Sequence, residues 1–417
     1  MNKNKNSAAR QNRRICLPFP QETYNETVSD AFQFRLHIDG MISQCPELFP
    51  PEIGGGWRMK DSYVSKKQGV MIRRIEIAGI AHTVRPSFVM PYMTGMTDDV
   101  EKALFLRKFS VPFWAVAYVF GRDPMHWQRM EQSLGRNSIV GTTVRDPDRL
   151  PGHVVADEKH TRIRGGKAYV ATTVAEECVL GASVAVSAGE DALKDAYAIY
   201  KDEALDVTPA YSPETVNTDG WKATMNAWKR LFPSVTLILC FLHVFIGIRN
   251  RTKKKFGEIY DEVVEKLWDC YEAVTRASFS QRVRRFSEWA EKVSLPSVIA
   301  DKIGKMRGNI AAFAAAYAFP GAHRTSSMLD RLMRRMDRHL FNMQYFHGFM
   351  SSAELCIRGW ALILNFAPSN PHTVKKYDGL QSPAERLNGF SYHENWLHNL
   401  LISASLGGFR GPPLNPL

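Results

Sequence analysis

Hydrophobic positions change their period along the chain, and each change predicts a different kind of module. Between residues 62 and 91, Val70, Ile72, Ile75 and Ile77 are followed by Val84, Phe88 and Val89, with Gly79 and Pro86 as punctuation. That spacing predicts strands, and a small β-rich module over 21–96. From 98 to 134 the period is helical: Phe105, Leu106 and Phe109 share one stripe, and Trp114, Val116, Ala117 and Phe120 another that stops at Gly121. Asp123 then supplies an N-cap and Pro124 a first-turn residue for a further helix. With Trp127, Met130 and Leu134 turned inward, His126, Arg129, Gln132 and, beyond Gly135, Arg136 face outward. Helix, glycine turn and basic helix suit a DNA-binding helix-turn-helix over 97–145, and equally a plain helical hairpin. Residues 135–150 read as a linker.

From Gly152 the order becomes strand, strand, strand, helix, strand, helix, strand. Residues 153–157 are a short apolar run ending in acid; 166–174 and 178–186 are strands, the first entered through the Gly165-Gly166 turn; 190–204 is an amphipathic helix. Residues 215–218 form a strand ending at Asp219-Gly220, 221–231 a helix, and 235–240 the most apolar strand. This is an α/β pattern with a mixed sheet over 152–249. Beyond His243 it turns wholly helical, with Phe256, Ile259, Val263, Leu267, Cys270 and Val274 at three- and four-residue steps. A helical insertion is predicted over 250–320, ended by Pro320-Gly321. Residues 326–365, within a returning segment 321–366, read as one long helix or a helix pair, Arg-rich first and apolar later. The tail 367–417 is rich in Pro, Gly and Asn and reads as irregular. Residues 1–20 are too polar to offset ordering entropy and read as a disordered basic arm.

Charge narrows the class of partner. The chain carries 54 Lys and Arg against 42 Asp and Glu, a net of +12 spread along 417 residues. A polyanion is the natural partner, with a merely soluble basic protein as the alternative. Six cysteines lie far apart and no apolar segment opens the chain, which points to a reduced, cytoplasmic setting. The most apolar stretch, 235–248, contains His243 and falls short of the roughly twenty residues a bilayer span needs. No membrane partner is expected.

Candidate chemistry lies in three acids. Asp157 closes Val-Val-Ala-Asp, Asp219 closes Val-Asn-Thr-Asp, and Asp330 opens the Arg-rich helix. Cleavage of a phosphodiester with two metal ions needs carboxylates converging from separate elements, because magnesium and manganese prefer oxygen ligands. Each acid also has a plain reading: Asp157 as a turn residue, Asp219 as a helix cap, Asp330 and Asp337 as partners of nearby arginines. Cys240-Phe241-Leu242-His243 has the spacing of half a zinc site, but no second ligand pair stands at matching distance.

Taken together, residues 152–365 resemble the DDE superfamily of transposases and integrases, bacterial insertion-sequence enzymes among them. Asp157 with its basic turn is similar to the first-acid hairpin, and Asn217-Thr218-Asp219-Gly220 to the second-acid turn. The Cys240–His243 motif and the helical insertion resemble those of mutator-like and hAT-like enzymes. The resemblance implies a ribonuclease H-like fold and an Asp157, Asp219, Asp330 triad holding two Mg2+ or Mn2+ ions. It further implies a homodimer or larger assembly on double-stranded DNA, with terminal repeats cut and their 3′-hydroxyl ends joined to target DNA. Lys159, His160, Arg162 and Arg164 beside the first acid, and Arg331, Arg334, Arg335 and Arg338 beside the third, would hold backbone phosphates. The pattern usually has Glu as third acid, and Glu354 has that side chain; position favours Asp330, because Glu354 lies farther along and stands at helical spacing from Arg358. A transposase-derived DNA-binding protein without catalysis, or a nuclease of the same fold, are the other readings.

Overall fold

The computed structural model describes residues 13–252 and 257–410. It is a mixed α/β structure with two sheets. The chain opens with β1 (Arg14–Leu17), α1 (Tyr24–Ser29) and α2 (Ala31–Gln44), followed by β2 (Trp57–Val64), β3 (Met71–Ile77) and β4 (Ile80–Pro86). These strands form the order β1-β4-β3-β2, with β1 parallel to β4 and the other pairs antiparallel. The expected disordered arm is therefore corrected in part. Residues 1–12 lie outside the described residues, but Ile15 and Leu17 are buried strand residues whose alternate apolar positions complete a sheet.

Helices α3 (Thr97–Arg107), α4 (Phe113–Phe120) and α5 (Pro124–Leu134) follow, and Asp123 caps α5 by accepting the Met125 N–H at 2.7 Å. The segment expected as a linker instead holds α6 (Ile139–Thr143), buried throughout. Its small residues are the reason: a Cβ on Gly141 would overlap the Gly408 carbonyl, so the chain there is a close crossing of two backbones.

The second sheet comprises β5 (His153–Ile163), β6 (Gly166–Ala175), β7 (Cys178–Ala185), β8 (Thr215–Thr218) and β9 (Thr236–Leu239), with α7 (Glu190–Val207) between β7 and β8 and α8 (Lys222–Leu231) between β8 and β9. Its order is β7-β6-β5-β8-β9; β5, β6 and β7 are antiparallel, and β5, β8 and β9 parallel. Period-2 alternation assigns its faces. Val154, Ala156 and Val216 pack on Tyr197, Tyr200 and Trp228 of α7 and α8, whereas Val155, Val170 and Val179 join the large core shared with the first sheet. The first strand does not stop at Asp157 as expected. It runs six residues further because β6 pairs with it as far as Ile163, while the parallel partner β8 ends opposite Val155 to Asn217.

Then come α9 (Phe241–Thr252), α10 (Gly257–Tyr271), α11 (Arg276–Lys292), α12 (Ser297–Gly308) and α13 (Ile310–Ala314), which share a core of their own. The Arg-rich segment is a pair, α14 (Ser327–Asn342) and α15 (Met350–Phe366), broken where Gln344 and Tyr345 take φ of 55° and 67°. Helices α5 and α15 cross at glycines: a Cβ on Gly359 would overlap the Glu131 carbonyl. The tail is ordered, contrary to expectation, into α16 (Pro371–Lys376), α17 (Pro383–Asn388) and α18 (Trp396–Ser403). The Asn-Pro and Ser-Pro pairs of the tail are cap and first-turn residues: Asn370 accepts the Thr373 N–H at 2.9 Å and Ser382 that of Glu385 at 3.2 Å. No helix among the described residues is long and apolar enough to cross a membrane.

Candidate active site

Because β5 and β8 are parallel with Val155 opposite Asn217, Asp157 and Asp219 stand two residues further along adjacent strands, on the same face. That face is crossed by α14. Lys159 pairs with Asp337 at 2.6 Å, and beyond the end of α14 Phe346 bridges to Ile163. The start of the helix thereby lies over Asp157, and Asp157, Asp330 and His243 bring a ligand atom each within 4.8 Å of one another.

Electrostatics mark this convergence as costly without a cation. Burial and then the charge of Asp219 raise the Asp157 carboxyl to about 6, with Asp330 adding to the rise; the Glu158 N–H, at 2.8 Å from Oδ1, opposes it. Burial disfavours a charged His243, but the Cys240 sulfur and the Asp157 and Asp219 carboxylates outweigh it and hold the imidazole up at about 9. An imidazolium beside the acids at neutral pH balances part of their charge. Asp219 is exposed and its Oδ1 also accepts the Trp221 N–H at 2.7 Å, so it caps the turn into α8 while facing Asp157.

The Cys-x-x-His motif acquires a second use here. The Cys240 thiol donates to Ser326 Oγ at 3.2 Å, and the Ser326 hydroxyl donates to Asp330 Oδ2 at 2.9 Å. The Ser326 N–H returns to the Cys240 sulfur at 3.1 Å. Cys240 thus ties the end of β9 to the cap of α14 and orients Asp330. Nothing in the sequence reading singled out Ser326; its place four residues before Asp330, just ahead of the helix, was the available signal.

Glu158 was also missed, since alternation hides it behind Asp157. It points to the opposite face, where Tyr197 and Thr224 each donate to Oε1 at 2.7 Å, and Oε2 is buried without a partner among the described residues. Burial raises it to about 7.

Glu354 stands apart from the cluster. It is on α15, accepts the N–H of Val184 on edge strand β7 at 2.8 Å, and is separated from β5 by β6. Arg358, expected to pair with it, is ion-paired to Glu203 instead.

The basic residues divide. Arg334 and Arg338 are exposed on α14; a cleft of about 580 Å³ is lined by Lys159, Asp330, Arg334 and Arg249. Arg162 and Arg164 lie over the rings of Tyr345 and Phe349, at 5.9 and 4.5 Å. On α5, Arg129 is exposed, and Arg136 just beyond it is exposed over the Tyr92 ring. His126 is half-buried, edge-on to Trp127. Gln132 is not free to face outward: its amide donates to Ser352 Oγ at 2.9 Å, because α15 packs along that side of α5. No protein-family model matches the chain, and no curated protein matches it significantly.

Proposed function

We propose that this chain is a metal-dependent DNA transposase of the DDE type, with a ribonuclease H-like core. The observation that carries the reading is the convergence of Asp157, Asp330 and His243 atoms within 4.8 Å beside Asp219. Support comes from the sheet order, three antiparallel strands followed by two parallel ones with helices on both faces, which is the order expected of that core.

The residues fit a hard divalent cation. The raised proton affinity of Asp157 would be relieved by one, and oxygen donors suit magnesium or manganese. Asp157, Asp219 and Asp330 would hold the ions, which when bound supply an activated water and neutralise phosphate charge. Asp157 and Asp219 contribute from adjacent strands, so their separation is set by the sheet; Asp330 is aimed by Ser326 and Cys240. Arg334 lines the approach and, with Arg338 exposed one turn further along the helix, would hold backbone phosphates in register, while His243 keeps a positive charge beside the reacting phosphate. Arg129 and Arg136 on the helical hairpin would contact the element's ends, with at least two copies pairing those ends in the cytoplasm.

The test is cleavage of the DNA flanking the coding gene, with Mg2+ or Mn2+, by wild type and by Asp157→Asn, Asp219→Asn, Asp330→Ala and Glu354→Ala. Loss in the first three with cleavage retained in Glu354→Ala supports the assignment. Wild-type rates in Asp157→Asn, or loss in Glu354→Ala with Asp330→Ala active and both folded, refute it. Cleavage without joined product identifies a nuclease.

A further inference from the structure

The carboxylate cleft shares Arg331 with a second cavity of about 300 Å³. That cavity lies between the end of α3, α14 and the helical tail, and its volume is at the lower edge of small-ligand sites. Four cationic side chains line it, Lys108, Arg331, Arg335 and Arg386, against one carboxylate, Glu177.

The charges are assembled without balance. Glu177 is ion-paired to Arg386 at 2.7 Å, which leaves Arg331 and Arg335 with no carboxylate in ion-pair reach among the described residues. Lys108 is buried, its ammonium donating to the carbonyls of Ala367 and Pro368 at 2.6 Å each. Burial, then Arg335 and Arg386, pull it down to about 7; burial, Arg338 and Arg331 lower Arg335. Like charges held in a cavity repel unless an anion joins them. The turn presenting Glu177 is strained, with Glu176 and Glu177 both left-handed at φ of 47° and 62° where glycine or asparagine is the usual choice. Phe109, also lining the cavity, is 61% exposed, its ring edge-on to Phe105 at 5.4 Å and open to solvent beside the cations.

We propose that this cavity is a nucleotide site, with a phosphate group seated among Lys108, Arg331, Arg335 and Arg386 and the base against Phe109. Planar guanidinium groups match phosphate oxygens bidentately, and an aromatic face stacks any base. The proposal deepens the transposase reading and rests on it only for the source of the nucleotide, a DNA strand end.

The test uses the full chain in EDTA, titrated calorimetrically with deoxyadenosine 5′-monophosphate, deoxyadenosine, inorganic phosphate and a 5′-phosphorylated single-stranded decamer. The monophosphate binds and deoxyadenosine does not. Arg335→Gln weakens monophosphate and phosphate by about tenfold or more. Phe109→Ala weakens the monophosphate by about tenfold and leaves inorganic phosphate unchanged. Tighter binding of the decamer than of the monophosphate supports a strand end as ligand, and weaker binding refutes that source. No binding of the monophosphate, or equal binding by folded Arg335→Gln, overturns the site. Because no metal or cleavage is involved, failure of the catalytic assignment leaves this result readable.

Discussion

Replacing Glu158 by Gln tests whether a buried acid behind the carboxylate cluster acts as a proton store. Its folded-state affinity for a proton is raised from an ordinary 4.5 to about 7, chiefly by burial. A raised acid favours folding while protonated: the contribution is full below pH 4.5 and is lost as pH rises through 7. A rise from 4.5 to about 7 corresponds to about 3 kcal/mol, at 1.36 kcal/mol for each tenfold change in proton affinity. Glutamine keeps an oxygen to accept from Tyr197 and Thr224, and its amide replaces an oxygen that has no partner anyway. At pH 5 the variant should be no more stable than wild type, with an unpartnered amide costing about 1–3 kcal/mol. Between pH 5 and pH 8 the difference should move about 2.5 kcal/mol in its favour, because part of the change has already occurred by pH 5, read as urea unfolding midpoints by circular dichroism at pH 5, 6, 7 and 8. A pH-independent difference between the two proteins would refute the reasoning.

Three further outcomes are expected. Gly359→Ala should destabilise by about 3 kcal/mol, the upper part of the overpacking range, whereas Gly304→Ala, with no atom in its way, should stabilise by about 0.4–1 kcal/mol; matching melting temperatures for the two would contradict the α5–α15 crossing. Since Asp157 is raised to about 6 and must lose its proton to ligate, stabilisation by Mn2+ should be present at pH 7.5 and absent at pH 5, and equal melting shifts at the two would argue against that ligand. Arg129→Ala should weaken binding to the element's ends by roughly 1–3 kcal/mol relative to unrelated DNA if it contacts a base edge, and a competition assay showing no change removes it from the interface.

Elements with a strong period were readable from the residues. The strand at Thr215–Thr218 and the starts of α5 and α7 are where the pattern and caps put them. The sequence could show that Asp157, Asp219 and Asp330 are strand- and helix-borne acids, but not their mutual distance, which depends on parallel register and on how α14 returns. Misreadings shared a cause. The linker at 135–150 and the tail read as irregular chain, when Gly141 permits a backbone crossing, Pro371 and Pro383 begin short helices, and the last helix is held by tertiary burial of Trp396, Leu400 and Ile402. Gln132 looked solvated because its partner, Ser352, is 220 residues away.

The sulfur link between Cys240 and Ser326 joins residues 86 apart, and the Phe241 N–H reaches the Arg324 carbonyl at 3.0 Å, so the helical block leaves and re-enters the core at one point. Such a block behaves as a detachable appendage with its own interior. Shortening its part beyond Arg249 to a linker of about ten residues, roughly three halvings, would ease chain closure by about 2 kcal/mol and leave the two ends facing each other. The carboxylate cluster could in this way stay fixed while the part of the block beyond His243 and Arg249, which stand beside the acids, is exchanged, enlarged or lost.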